Sequence, residues 1–483
     1  MDSPENPRWP VRENGPVTRI VIIGGGPAGY EAALVAAQHG GTVTVMEQSG
    51  LGGACVLYDC VPSKTFIATA ETMTAFRSAD RLGVRGCAPA EVGIDTPAVH
   101  GRVKKLALAQ SADVRTRLLR EGVILLPGTA RFAADQPSRA TYAVEVAHEG
   151  EQDLVQADVV LLATGASPRI LPDAEPDGER ILDWRQVYDL PELPQHLVVV
   201  GSGVTGAEFA SAYCEMGVQV TLVSSRDRVL PGEDADAAAV LEQVFADRGM
   251  EILKRARAKA VRRTEKGVLV DLEDGRTVEG SHALMTVGSV PNTDDLGLEP
   301  VGVELDDRGY IVTDRVSRTG APGVYAAGDC TGLMLLASVA AMQGRIAMWH
   351  ALGAAVTPLR LKTVCANVFT HPEIATVGVQ QRAIEAGEVA ARTVTLPLAT
   401  NARAKMQGVQ DGFVKLFCLP TTGVVIGGVV VAPYASELIL PITLAVQNSL
   451  TVDQVAGTFS VYPSMSGSLT EAARRLMVHA DAD

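Results

Sequence analysis

The chain has 483 residues, of which 47% are hydrophobic but only 4% aromatic, and it carries a net charge of −14. That acidic balance excludes a nucleic-acid surface, which needs an excess of Lys and Arg to displace counterions, and no apolar run reaches the roughly 20 residues that cross a bilayer. The length suffices for about three domains, with cores built from Ala, Val, Leu and Ile as in parallel sheets covered by helices.

Residues 1–16 are polar and proline-rich and read as a mobile tail. They lack the basic flank and apolar core of a secretion signal, so a cytoplasmic protein is expected. Seven cysteines, an odd number scattered through a large chain, do not form a secreted disulfide framework. Cys87, Cys214, Cys330, Cys365 and Cys418 read as buried small residues.

Thr18–Gly24 is a β-branched, apolar run ending in glycine, and Pro27–His39 is alanine-rich with helical spacing. Between them lie Gly24, Gly26 and Gly29, a G-x-G-x-x-G in strand-turn-helix context. The first glycine permits the turn, the second lets backbone N–H groups approach a pyrophosphate, and the third allows close helix packing. The next strand, Thr42–Met46, ends at Glu47, which lies 23 residues after Gly24 (47 − 24) and can accept hydrogen bonds from an adenosine ribose.

Cys55 and Cys60 follow, five residues apart. In a regular helix that spacing puts the two Cα atoms more than about 7 Å apart, too far for a disulfide. A bridge therefore requires a distorted helix start, which Gly52-Gly53 and Pro62 make plausible.

The strand-turn-helix pattern recurs 177 residues later (201 − 24), where His196–Gly201 leads through Gly201, Gly203 and Gly206 into Val204–Met216 and a second strand at Val218–Val223. Two such fingerprints imply two bound dinucleotides. The position equivalent to Glu47 is Ser224, and Ser225, Arg226 and Arg228 suit a 2′-phosphate, so NADPH is expected, with NADH accepted too. A helix is expected over Leu335–Met348, and from about Leu359 short β-branched runs alternate with helical stretches such as Ala435–Asn448.

The segment from Gly52 to Lys64 (GGACVLYDCVPSK) resembles the active-site stretch of class I pyridine nucleotide-disulfide oxidoreductases, the flavoenzymes that include dihydrolipoamide dehydrogenase, glutathione reductase and mercuric reductase. Ala163–Arg169 (ATGASPR) and Val324–Asp329 (VYAAGD) resemble two further stretches of that family. The resemblance implies an α/β fold with two Rossmann-like domains, for FAD and NAD(P), plus a C-terminal α+β dimerisation domain. It implies a discontinuous FAD domain at 17–165 and 291–358, an NAD(P) domain at 166–290 and an interface domain at 359–483, in a homodimer at minimum. Gly53, Ala130, Thr164, Gly165 and Gly288 join the expected cofactor-binding residues, and Asp329 is expected on the ribityl chain. The helix beginning near Leu336 and Ala337 would point its N-terminus at the flavin, its dipole favouring negative charge on the reduced ring. By the same resemblance Cys60 is the thiolate that contacts the flavin, favoured by its place at a helix N-terminus, Cys55 exchanges with substrate, and Lys64 pairs with Glu208.

One departure decides the expected activity. Where the family carries a His-Pro segment followed four residues later by Glu, this chain reads Tyr462-Pro463-Ser464-Met465-Ser466-Gly467. Reducing a disulfide generates a thiolate that must be protonated, which a histidine oriented by a carboxylate does near neutral pH. A phenol ordinarily titrates near 10, and glycine offers no carboxylate. None of the eight histidines replaces the missing one, and His371 fits a strand turn of the family instead. Tyr58 and Asp59 also depart from the small pair usual before Cys60.

A quinone needs no such dyad, since two electrons can pass directly from reduced flavin, with protons from water or Tyr462. An FAD-dependent NAD(P)H:quinone oxidoreductase is therefore expected. The alternatives are a dithiol-disulfide reductase using Cys55 and Cys60 on a small disulfide, a pyridine nucleotide transhydrogenase, and a flavin-holding sensor. The tail Arg474–Asp483 has no cysteine pair to deliver a soft metal, which disfavours mercuric reductase, and no cluster has metal-ligand spacing.

Overall fold

The computed structural model describes residues 17–85, 92–138 and 141–477. The tail at 1–16 and Cys87 lie outside the described residues. The chain divides into two compact units, the first formed by Met1–Pro62, Val103–Pro168 and Ser289–Leu359, the second by Ser63–Arg102, Arg169–Gly288 and Arg360–Asp483.

In the first unit, Arg19–Ile23 lies at the centre of a parallel five-stranded sheet in the order Val324–Ala326, Val159–Leu162, Arg19–Ile23, Thr42–Glu47, Ile124–Pro127. Ile20, Val21, Ile22 and Ile23 are all buried, as are Val159 to Leu162. Such continuous apolar runs are what a parallel sheet covered on both faces requires. The helix Pro27–Gln38 packs against the helix Ala337–Ala351, and a Cβ on Gly344 would run into the carbonyl of Ala28, so the two backbones meet directly there. A three-stranded antiparallel sheet, Thr129–Phe132, Tyr142–His148 and Glu151–Ala157, completes the unit's core with Phe132, Tyr142 and Val144.

The second unit repeats the parallel design in the order Glu251–Leu253, Gln219–Val223, His196–Val200, His282–Met285, Ile181–Asp183. Its C-terminal part is an antiparallel five-stranded sheet, ordered Cys365–Val368, Glu373–Gly378, Val425–Ala432, Phe413–Cys418, Arg392–Pro397. The helices Ala435–Gln447 and Gly467–Leu476 bury Ile439, Ile442, Leu469 and Ala472 in the same core. Lys415, on an interior strand of that sheet, is buried, and its Nζ lies 2.8 Å from both oxygens of Asp234 and 2.7 Å from Asp236.

Two details differ from expectation, and a third matches the distorted helix start that a Cys55–Cys60 bridge requires. The helix expected over Leu335–Met348 runs instead from Ala337 to Ala351, because Leu336 is extended and the helix continues through Trp349 and His350 before the turn at Gly353. Cys365 is half-buried, sitting on a sheet edge where one flank lacks a neighbouring strand, whereas Cys214, Cys330 and Cys418 are buried. The segment around Cys55 is two helices, Gly53–Leu57 and Cys60–Ser78, interrupted at Tyr58-Asp59. The two cysteines are thus carried on separate segments, so the regular-helix separation does not apply to them.

Candidate active site and family

In the first unit, Gly24 adopts φ +105°, and a Cβ there would strike the carbonyl of Ala163; one on Gly29 would strike the carbonyl of Gly24. Gly26 caps the following helix with its backbone alone, and a Cβ on Gly53 would come within 2.9 Å of the Gly26 Cα. These glycines leave a shallow backbone cradle at an uncapped helix N-terminus, which fits the pyrophosphate of a dinucleotide. Glu47 spans the cradle's edge. One carboxylate oxygen accepts the Gly25 N–H at 2.6 Å, while the other accepts those of Ser49 at 2.7 Å and Gly50 at 3.3 Å.

The second uncapped N-terminus begins at Ala337, after Leu336, so its first N–H groups receive no side-chain acceptor. Asp329 stands nearby in sequence in a short helical turn, and burial, followed by the charge of Asp59, pushes its carboxyl up to about 6. Two residues that sequence reasoning missed hold this region. Buried Gln343 accepts the Gly328 N–H at 2.9 Å, fixing the turn that carries Asp329. Asn292 donates to the Thr164 carbonyl at 2.9 Å while its backbone carbonyl accepts the Thr164 hydroxyl at 2.7 Å, stapling together the chain beside the paired strands Ala166–Pro168 and Ser289–Pro291. A lone Gln inside an alanine-rich helix carries no periodic signal, and Asn292 is legible only once its partner strand is known. Gly165 takes φ +71° beside Thr164, and Ala130 is buried opposite Val146 on the antiparallel sheet.

In the second unit, Gly201 and Gly206 repeat the clash-free turn against the Thr286 carbonyl and the Gly201 carbonyl, and Gly203 caps the helix Val204–Glu215. Ser224 is buried, its hydroxyl 2.7 Å from that of Ser202, so it serves the turn rather than facing outward. Arg228 is likewise committed, donating to the carbonyls of Pro231 and Glu233. Ser225 and Arg226 are exposed and remain as the groups that can meet a 2′-phosphate. Gly288, with φ +95°, accepts the Arg169 N–H at the end of the same fold.

Lys64, one turn after Cys60 on the helix Cys60–Ser78, donates to a carboxylate oxygen of Glu208 at 2.8 Å. Glu208 is only 4% exposed and its other oxygen accepts the Phe369 N–H at 2.9 Å, so neither oxygen is left to water alone. The sequence expectation of this pairing is thus matched by a direct contact.

Tyr462 lies in the C-terminal part, 85% exposed, lining a cleft of about 290 Å³ that also takes in Arg403, Glu471 and Arg475. Gly467 begins the helix Gly467–Leu476. The first carboxylate beyond it is Glu471, which Arg474 and then Arg475 hold down at about 2. Both of its oxygens already accept from Arg474 and Arg475, so it is not free to orient a proton-transfer partner.

Comparison with known proteins agrees with this geometry. Residues 18–344 match the pyridine nucleotide-disulphide oxidoreductase family and residues 364–473 match that family's dimerisation domain. An NAD(P)H dehydrogenase (quinone) of Mycobacterium tuberculosis is 63% identical over 471 residues, covering 97% of this chain and 95% of the relative. A dihydrolipoyl dehydrogenase of Chlorobaculum parvum is 33% identical, covering 94% and 96%. Among solved structures, LpdA from Mycobacterium tuberculosis superposes with a TM-score of 0.92 at 63% identity over 96% of this chain and all of that one. The HOCl-induced flavoprotein disulfide reductase RclA from Escherichia coli superposes at 0.83 with 25% identity, over 94% and 99%. With two nucleotide cradles, a cysteine-bearing helix and matches along nearly its whole length, the chain belongs to the pyridine nucleotide-disulphide oxidoreductase family, enzymes that use FAD and NAD(P)H.

Proposed function

We propose that this protein is an NAD(P)H dehydrogenase acting on quinone-type acceptors, by the net reaction NAD(P)H + H⁺ + quinone → NAD(P)⁺ + hydroquinone. The observation that carries the reading is the C-terminal helix start. Tyr462 and Gly467 stand where an imidazole and a carboxylate would be needed, and Glu471 is locked between two guanidinium groups. General acid–base help is worth about 10²–10⁴ in rate, so a disulfide whose leaving thiolate must be protonated is a poor acceptor here. A quinone is not penalised in this way, since water or the Tyr462 hydroxyl can supply its protons. The 63% identical relative bears the name of that activity.

When bound, FAD supplies the hydride acceptor and the two-electron donor. The chain's own groups bind and orient. Gly24, Gly26, Gly29 and Gly53 take the pyrophosphate, Glu47 the adenosine ribose, and Asp329 the ribityl chain. The N-terminus at Leu336-Ala337 favours negative charge on the reduced ring. Thr164, Gly165 and Ala130 line the same cofactor. Lys64, held by Glu208, keeps a cation where charge changes. Gly201, Gly203, Gly206 and Gly288 receive the nicotinamide dinucleotide. Ser225 and Arg226 favour NADPH, with NADH also used. By the family resemblance Cys60 would contact FAD when it is bound, while Cys55 is not needed for the quinone route. The FAD domain comprises 17–165 and 291–358, the NAD(P) domain 166–290 and the interface domain 359–483. The enzyme works as a homodimer in the cytoplasm; no helix among the described residues is long and apolar enough to cross a membrane.

The test offers the holoenzyme a naphthoquinone, lipoamide and glutathione disulfide side by side with NADPH. Turnover of the quinone at least a hundredfold above either disulfide is expected, with Cys55→Ser costing less than tenfold. Faster turnover of a disulfide, abolished by Cys55→Ser, would replace this reading with a dithiol-disulfide reductase.

A further inference from the structure

The loop between the strands Cys365–Val368 and Glu373–Gly378 touches both members of the Lys64–Glu208 pair. The Phe369 N–H donates to one Glu208 oxygen at 2.9 Å, and the Phe369 ring lies with its centroid 4.8 Å from the Lys64 ammonium. The other Glu208 oxygen receives Lys64 at 2.8 Å, and the ammonium also reaches the Ser63 hydroxyl at 3.3 Å. One turn further along the Glu208 helix, Ser211 accepts the His371 N–H at 3.2 Å and donates to Glu215 at 2.7 Å. The loop is therefore fastened to that helix at two points, which leaves the Phe369 ring little freedom to move away.

Lysine carries its charge on a four-carbon stem with large rotamer freedom, and a single carboxylate fixes the distance of an ammonium but not its direction. An aromatic face adds a further constraint beside the carboxylate and the Ser63 hydroxyl, because the ring quadrupole attracts a cation lying over it. We propose that Phe369 is a positioning residue for Lys64, its backbone N–H holding the carboxylate and its ring holding the ammonium. Its consequence for flavin reduction rests on the function proposed above; the placement itself does not.

The experiment uses the FAD-loaded enzyme and the variants Phe369→Leu, Phe369→Met and Phe369→Tyr. Leu and Met keep the backbone N–H and fill most of the space, so if one fails to fold the other serves. Two quantities are read: the rate at which acetic anhydride modifies Lys64, followed by peptide mass spectrometry against pH, and the rate of flavin bleaching by NADPH. Loss of the ring is expected to raise Lys64 modification about 2- to 30-fold, the span of a cation–π contact, and to slow bleaching over the same range. Tyr should match the unmodified chain in both. Modification unchanged in Leu and Met, or changed equally in Tyr, would overturn the proposal. Modification that rises while bleaching stays constant would uphold the placement and refute the flavin-facing role of Lys64.

Discussion

If the missing dyad is what closes this protein to disulfides, then restoring it should open them. The double substitution Tyr462→His with Gly467→Glu does this at the family spacing. The backbone admits it: Gly467 has no left-handed torsion, and a Cβ there meets nothing closer than the Ser464 hydroxyl at 3.7 Å and the Ser460 hydroxyl at 3.8 Å, ordinary contacts. Position 467 is also the first of its helix, where a new carboxylate gains about 0.3–1 kcal/mol from the dipole. Acid–base help of 10²–10⁴ corresponds to about 3–5 kcal/mol of barrier. Part of this is lost if Arg474 or Arg475 leaves Glu471 for the new acid, so a gain of at least about tenfold is the floor. NADH-driven reduction of lipoamide measures it, with flavin content and melting temperature showing that the variant is intact. A folded, yellow double variant with no gain in lipoamide turnover would refute the reasoning, as would an unmodified chain that reduces lipoamide as fast as a naphthoquinone.

Arg226→Ala should raise the KM for NADPH about 10- to 100-fold, the worth of a hydrogen bond to a charged phosphate, and leave that for NADH within about threefold; equal effects on both coenzymes would remove Arg226 from the 2′-phosphate site. Lys415→Met strips the partner from Asp234, whose side chain is 2% exposed, and should destabilise the fold by about 3–5 kcal/mol in urea titrations. Adding Asp234→Asn, which keeps the cap on the helix Ala235–Asp247, should recover part of that loss; a drop below about 1 kcal/mol for Lys415→Met would contradict the burial argument. Asp329 is raised from 3.8 to about 6, so the flavin-free fold binds its proton more tightly than the unfolded chain does. Its contribution to stability is complete below pH 3.8 and is lost as pH rises through about 6. Asp329→Asn should therefore gain on the unmodified protein, by up to about 3 kcal/mol, between pH 4 and pH 7. Parallel pH profiles for the two would show that Asp329 is not strained by burial.

Local chemistry determined much of this protein without help. The paired glycine fingerprints and the strands leading into them are consequences of short-range rules, since turn geometry and helix starts depend on residues a few places apart, whereas the roles of the cysteine pair and the pairing of Lys64 with Glu208 were legible through the family resemblance. The departure at Tyr462 and Gly467 was equally plain, because it is a matter of which functional groups exist. What folding alone decided is what depends on distant segments meeting. Ser224 stands at an acidic position of the fingerprint, yet its hydroxyl is consumed by Ser202. Asn292 anchors a loop 128 residues away, and Gln343 reaches across the loop before its own helix to a turn 15 residues back. Lys415 is a cation inside a sheet because Asp234, 181 residues away, comes to meet it. Phe369 reaches Lys64 across 305 positions (369 − 64). No local pattern announces such pairs, because a buried polar or aromatic group takes its meaning from the partner that tertiary packing brings to it.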